Sequence, residues 1–118
     1  MNEFELIRRY FMRPGADPGV VLGVGDDGAV LEPTPGLHQV SVIDTMVEGV
    51  HFPRGYNAID IGYRIVAVNL SDIAAMGATP RWMTLALSMP SADRDWLEAF
   101  AEGLYTAARE FGVALVGG

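Results

Sequence analysis

The sequence predicts an α+β domain: a mixed sheet with helices packed on one face. Three observations carry this. Residues 57–76 and 93–111 repeat apolar side chains at helical spacing, each behind an Asn or Asp that can cap a helix. Short valine-rich runs, bounded by Gly, Pro or Asp, recur between them and read as strands. The two kinds of element are interleaved along 118 residues, half of them hydrophobic and 19% charged. A chain of this size buries roughly two-thirds of its unfolded surface, enough for a core without staples.

Taken in order, Asn2 with Glu5 three residues on forms a capping box. Phe4, Ile7 and Phe11 then follow at helical spacing, in a short helix that ends before Pro14, and Gly15 to Gly19 reads as a turn. Val20 to Val24 is a strand, broken by Gly25-Asp26-Asp27-Gly28 and resumed over Ala29-Val30-Leu31. After a turn at Pro33, Pro35 and Gly36, Leu37 to Ile43 is a third strand, with Val40 and Val42 on one face and Asp44 at its end. Thr45 to Phe52 reads as extended and Pro53 to Tyr56 as a loop. Asn57 opens the clearest helix, which runs to about Met76 and stops at Gly77. Arg81 to Met89 is a strand closed by Pro90. Ser91 or Asp93 caps a last helix with Trp96, Phe100, Leu104, Ala107 and Phe111 on one stripe, ended by Gly112. Val113 to Val116 is the last strand. The expected order is α-β-β-β-α-β-α-β. A strand running into Gly117-Gly118 usually leads into a functional turn, so the chain reads as a fragment.

Composition removes several kinds of chemistry. The absence of cysteine excludes disulfides, thiolate zinc sites and cysteine nucleophiles. All eight basic residues are arginine, which excludes a P-loop lysine and a Schiff base. A net charge of −7 lacks the basic footprint of a nucleic-acid binder. No apolar run reaches the ~18 residues of a membrane span. The N-terminus lacks the pattern of a signal peptide, so a cytoplasmic location is expected.

Gly23-Val24-Gly25-Asp26-Asp27-Gly28 matches G-x-G-x-x-G, but Ala-Val-Leu-Glu-Pro follows, which does not open a helix, and two aspartates would repel a phosphate held against the backbone. The aspartates make sense if magnesium stands between protein and phosphate; otherwise they are turn formers. Asp44 closes an apolar strand, where it lines a site or starts a turn. Asn69 and Asp72 share a helix face, either bonded to a neighbouring loop or with the carboxylate aimed at a metal. His51, beside apolar residues, is a structural side chain or a donor to a substrate. Tyr105, one step off the last helix's stripe, is a rim residue or a stacking platform for a base. Arg54 could meet a phosphate but has no supporting spacing, and His38 has no assigned role.

Four segments occur together in order: Gly25-Asp26-Asp27; Asp44-Thr45-Met46-Val47-Glu48-Gly49-Val50-His51-Phe52; residues 67–80 with Asn69-Leu70-Ser71-Asp72 at their centre; and Val116-Gly117-Gly118. This set resembles the N-terminal part of the thiamine-monophosphate kinases. The resemblance implies ATP-dependent phosphorylation of thiamine monophosphate to thiamine diphosphate, with several Mg2+ ions between carboxylates and phosphates. Carried over residue by residue, it implies Asp27, Asp44 and Asp72 as metal ligands, His51 as a substrate contact, and Tyr105 and Gly118 beside ATP. It assigns no catalytic side chain, because the accepting phosphate is already a nucleophile. Where the family often has Ser-Thr before the strand-end aspartate, this chain has Val42-Ile43, so hydroxyl ligation is lost there.

By the same resemblance, residues 1–118 are an N-terminal ATP- and Mg-binding, dimerising domain. The family's C-terminal domain, and an aspartate expected directly after Gly118, lie beyond this chain. A homodimer is implied, and the isolated fragment is expected to be inactive. The alternatives are another ATP-dependent enzyme of the superfamily, similar to aminoimidazole-ribonucleotide synthetase or selenophosphate synthetase, and a non-catalytic Mg-binding dimerisation module.

Overall fold

The computed structural model describes residues 1–13 and 17–118. The elements in chain order are α1 (Glu3–Tyr10), β1 (Val20–Leu22), β2 (Val30–Leu31), α2 (Ala58–Ala75), β3 (Trp82–Thr84), α3 (Arg94–Phe111) and β4 (Ala114–Gly117). They divide into two compact units. The first holds Met1–Gln39, Arg81–Ala92 and Val113–Gly118; the second holds Val40–Pro80 and Asp93–Gly112.

In the first unit, the capping box forms as expected. The Asn2 side chain accepts from the Glu5 amide at 2.9 Å, and the Glu5 carboxylate accepts from the Asn2 amide at 3.2 Å. Glu3 and Glu5 at the start of α1 and Arg8 and Arg9 at its end complement the helix dipole and stabilise the helix. The inward face is Leu6, Ile7, Tyr10 and Phe11. Phe4, expected on that stripe, lies in solvent. Of the turn expected at Gly15 to Gly19, residues 15 and 16 lie outside the described residues, as does Pro14.

Among the described residues the strands form two ladders of two, rather than one continuous sheet. β1 and β2 are antiparallel, pairing Val20 with Leu31 and Leu22 with Val30. β3 and β4 are parallel, pairing Trp82 with Ala114 and Met83 with Leu115. Trp82 joins the two: its indole N–H donates to the Pro18 carbonyl at 3.1 Å, beside Gly19. Gly19 has φ +76°, and a Cβ there would come within 2.6 Å of the Trp82 ring and 2.9 Å of the Glu32 carbonyl oxygen. Only glycine fits that corner. Val113 and Val116 are buried.

Two expected strands are shortened or unpaired. Of Arg81 to Met89, only Trp82–Thr84 is laddered. Leu85, Leu87 and Met89 still alternate half-buried with exposed Ala86 and Ser88. Of Leu37 to Ile43, only residues 40–43 keep the period of two, with Val40 and Val42 half-buried and Ser41 and Ile43 exposed; Leu37 is exposed, and no ladder forms among the described residues. Alternation records which face is covered; a strand also needs a partner for its N–H and C=O groups.

In the second unit, Asn57 caps α2 by accepting from the Ile59 amide at 2.9 Å, and Gly77 follows the helix at φ +69°. Asp93, rather than Ser91, caps α3, accepting from the Trp96 amide at 3.1 Å. Gly112 ends α3 in the left-handed conformation. Leu97, Phe100, Leu104 and Ala107 are buried, whereas Trp96 is half-buried and stacks on Phe100 with ring centroids 4.9 Å apart. Phe111, expected in the core, is exposed at the helix end.

The two helices of this unit meet at glycines. A Cβ on Gly62 would strike the Phe100 carbonyl oxygen, and one on Gly103 would strike the Ile59 carbonyl oxygen. Next to Gly62, the Tyr63 hydroxyl donates to the Glu110 carboxylate near the end of α3 at 2.7 Å.

Candidate functional site

In the first unit, the loop after β1 carries the paired aspartates. The Asp26 carboxylate accepts from the Asp27 amide at 2.8 Å and so shapes the turn. Asp27 is exposed, and its carboxylate has no hydrogen-bond partner among the described residues. The loop runs into β2 and not into a helix, so the G-x-G-x-x-G match does not build a dinucleotide fold. Gly118 follows β4 at φ +143°, where a Cβ would strike the Leu85 carbonyl oxygen. The Leu85 amide donates to the Gly117 carbonyl at 2.9 Å. Glycine at 118 is therefore demanded by both conformation and space.

In the second unit, Asp44 and His51 lie on the segment leading to α2. The exposed Asp44 carboxylate accepts from the Thr45 amide at 2.8 Å, leaving its second oxygen available. Residues 47–52 close into a tight loop. The Val50 and His51 amides donate to the Val47 carbonyl at 3.1 and 2.8 Å, and Gly49 donates to the Phe52 carbonyl at 2.7 Å. Gly49 turns the chain at φ +82°. The Val47 amide in turn donates to Nδ1 of His51 at 2.9 Å. Arg64 of α2 donates to the His51 carbonyl at 3.4 Å. Arg54 pairs with Glu48 at 3.8 Å in full solvent, which contributes about 0–1 kcal/mol.

On α2, Asn69 donates from Nδ2 to the Ile65 carbonyl at 2.9 Å. Asn69 is thus bonded within its own helix, not to a neighbouring loop. Asp72 is exposed, without a partner for its carboxylate among the described residues. It occupies the last turn of α2, which carries no basic residue. A carboxylate there opposes the helix dipole by a few tenths of a kcal/mol, a local cost that a bound cation would remove. Tyr105 is half-buried at the middle of α3.

Among the described residues, no three His, Asp or Glu side chains gather into a ready cation cage. The donor set nonetheless suits magnesium: exposed, hard carboxylate oxygens that need further oxygens to complete a shell. An apolar depression of ≈ 340 Å³ also lies in the second unit, along the C-terminal half of α2 and reaching Phe111. None of the candidate polar residues lines it. Sequence reasoning missed Arg64, whose link to His51 spans thirteen positions and leaves no local pattern.

Comparison with known proteins adds to this geometry. Residues 25–118 match the family described as AIR synthase related protein, N-terminal domain. The chain belongs to that family. The match begins at Gly25 and takes in Asp27, Asp44, His51, Asp72, Tyr105 and Gly118. Among relatives of this AIR synthase related domain, the thiamine-monophosphate kinase of Haemophilus influenzae is 42% identical over all of this chain and 36% of its own length. That of Escherichia coli is 44% identical over 99% of this chain and 36% of its own. A crystal structure of thiamine-monophosphate kinase from Stenotrophomonas maltophilia superimposes with a TM-score of 0.78 at 46% identity, covering 96% of this chain and 35% of that one. The α+β fold expected from sequence is thus the fold of that N-terminal part. The chain spans about a third of the length of the curated relatives it matches. No helix among the described residues is long and apolar enough to cross a membrane.

Proposed function

We propose that this domain is the N-terminal, ATP- and magnesium-binding part of a thiamine-monophosphate kinase, which phosphorylates thiamine monophosphate to thiamine diphosphate at the expense of ATP. The observation that carries the reading is identity of 40–46% to proteins of that name, sustained over 96–100% of the chain.

Asp27, Asp44 and Asp72 are the metal ligands in this reading. Their support is chemical: Asp27 and Asp72 carry solvated carboxylates without a partner among the described residues, and Asp72 sits where the helix dipole disfavours it. When bound, magnesium neutralises phosphate charge, the main requirement of phosphoryl transfer. A protein without lysine and with net charge −7 needs such cations to hold ATP. His51 contacts the substrate, and Tyr105 and Gly118 border ATP. No side chain is assigned as general base, since the acceptor is a phosphate oxygen. Exposed Val21, Val30 and Leu37 on the first unit favour a covered face and hence a homodimer. A cytoplasmic location goes with this reading.

The test is product analysis. The full-length protein containing this chain should release ADP and form thiamine diphosphate in equal amounts, at about 1 per second or more. ADP release without thiamine diphosphate would point to another acceptor within the superfamily and overturn the substrate assignment. The isolated 118-residue chain is expected to bind without turning over.

A further inference from the structure

The loop that carries His51 restricts what this side chain can offer a ligand. A neutral imidazole has one N–H and one bare nitrogen. Here Nδ1 faces the Val47 amide at 2.9 Å, and an amide N–H can only donate, so Nδ1 is the bare nitrogen and Nε2 carries the proton. Four more contacts tie the same loop down. Three are the backbone bonds within residues 47–52. The fourth comes from outside: Arg64 on α2 donates to the His51 carbonyl at 3.4 Å. The loop is otherwise largely solvent-facing: Val47, Glu48, Gly49, Val50 and His51 are exposed, and Phe52 at its end is half-buried. A loop with so little burial is held chiefly by its hydrogen bonds. Removing the Arg64 contact therefore removes the side-chain hydrogen bond that ties this loop to α2.

We propose that Arg64 is a positioning residue, which together with the Val47 amide fixes His51 as a hydrogen-bond donor through Nε2, directed at an acceptor oxygen of the substrate. The proposal rests on the reading of His51 as a substrate contact, and it narrows that contact. The recognised atom must accept a hydrogen bond, as a phosphate or hydroxyl oxygen does. It cannot be an N–H or ammonium group.

Ring tautomers can be read directly from long-range 1H–15N correlation spectra of the 118-residue chain at mildly alkaline pH. His38 provides an internal reference, being exposed and without a partner among the described residues. His51 should show the Nε2–H tautomer alone, while His38 shows the mixture of a solvated imidazole. Arg64→Ala should move the His51 pattern toward that of His38, and Arg64→Lys should restore it in part, showing that the fold is retained. A mixed or Nδ1–H pattern for His51, or an unchanged pattern in Arg64→Ala, would overturn the proposal.

The kinetic arm separates this from the underlying reading. In the full-length protein, Arg64→Ala should raise the KM for thiamine monophosphate about two- to tenfold, the range of one hydrogen bond, with kcat little changed. An unchanged KM in Arg64→Ala beside a raised KM in His51→Ala would overturn the positioning role. An unchanged KM in both, with the tautomer pattern intact, would instead overturn His51 as a substrate contact.

Discussion

Gly103 of α3 lies directly against the backbone of Ile59 in α2, so closely that a Cβ would overlap the Ile59 carbonyl oxygen. Gly62 makes the reciprocal approach to Phe100, and the two helices that carry Asp72 and Tyr105 are thereby held at backbone distance.

Gly103→Ala should therefore destabilise the chain, although alanine is the better helix former by about 1 kcal/mol. The obstacle is backbone, which cannot rotate away as a side chain can, and overpacking of this kind costs about 1–3 kcal/mol or more. Urea unfolding should show a net loss of at least about 1 kcal/mol. Gly28→Ala is the control, since a Cβ there meets nothing within 4 Å. Equal midpoints for the two variants would mean that the helices can separate at no cost.

Asp72→Asn should separate stability from activity. The side chain is exposed and, among the described residues, unpartnered in the last turn of α2, where a negative charge opposes the dipole. Asparagine keeps the shape and removes the charge, so the isolated chain should unfold at an equal or slightly higher urea concentration. The full-length protein should lose most of its turnover, because an amide does not replace a carboxylate at a divalent cation. Near-normal turnover would remove Asp72 from the metal site.

Tyr63 and Glu110 give the α2–α3 pair a pH dependence. The hydrogen bond to Glu110, then desolvation, then the Glu110 charge raise the Tyr63 hydroxyl above its usual 10.0. A group whose folded value lies above its unfolded value adds stability that is fully present below the unfolded value. That stability is lost as pH climbs through the folded one. The window thus opens near pH 10.0 and extends upward. Wild-type chain should lose more stability across it than Tyr63→Phe, which has no proton to release. Parallel loss in both proteins would show that the bond is not maintained in solution.

The helices were the most legible part of this chain, because their signals are local. Asn2, Asn57 and Asp93 lie within three residues of the amides they cap, and Gly77 and Gly112 mark the ends. Strand faces were legible too, since alternation at 85–89 and 40–43 follows burial. Strand pairing was not, because a ladder depends on a partner remote in sequence, and residues 40–43 have the pattern without a ladder among the described residues. The same division holds for the site. Asp27, Asp44 and Asp72 stood out as carboxylates at element ends or on an apolar face. The bond from Asn69 to Ile65 could be anticipated only in kind, and Arg64 not at all, since its reach to the His51 loop is created by the fold.

Magnesium should bind this chain weakly by itself and more tightly with ATP. Magnesium prefers six oxygens in near-octahedral order and gives up its waters reluctantly, so it is commonly held by one or two carboxylates together with substrate phosphates. The described residues contain no group of three or more acids or histidines ready to enclose a cation, and the Asp44 carboxylate already spends one oxygen on the Thr45 amide. ATP supplies the missing oxygens, and magnesium in turn screens ATP from a protein of net charge −7. By linkage, each ligand must strengthen the other by the same factor. Titration calorimetry of the chain with magnesium alone, ATP with excess chelator, and both together measures that factor from either side. The expected result is a dissociation constant for ATP at least about tenfold lower with magnesium, equivalent to about 1.4 kcal/mol of coupling. ATP binding of equal strength with magnesium and with chelator would mean that the aspartates do not act through a cation.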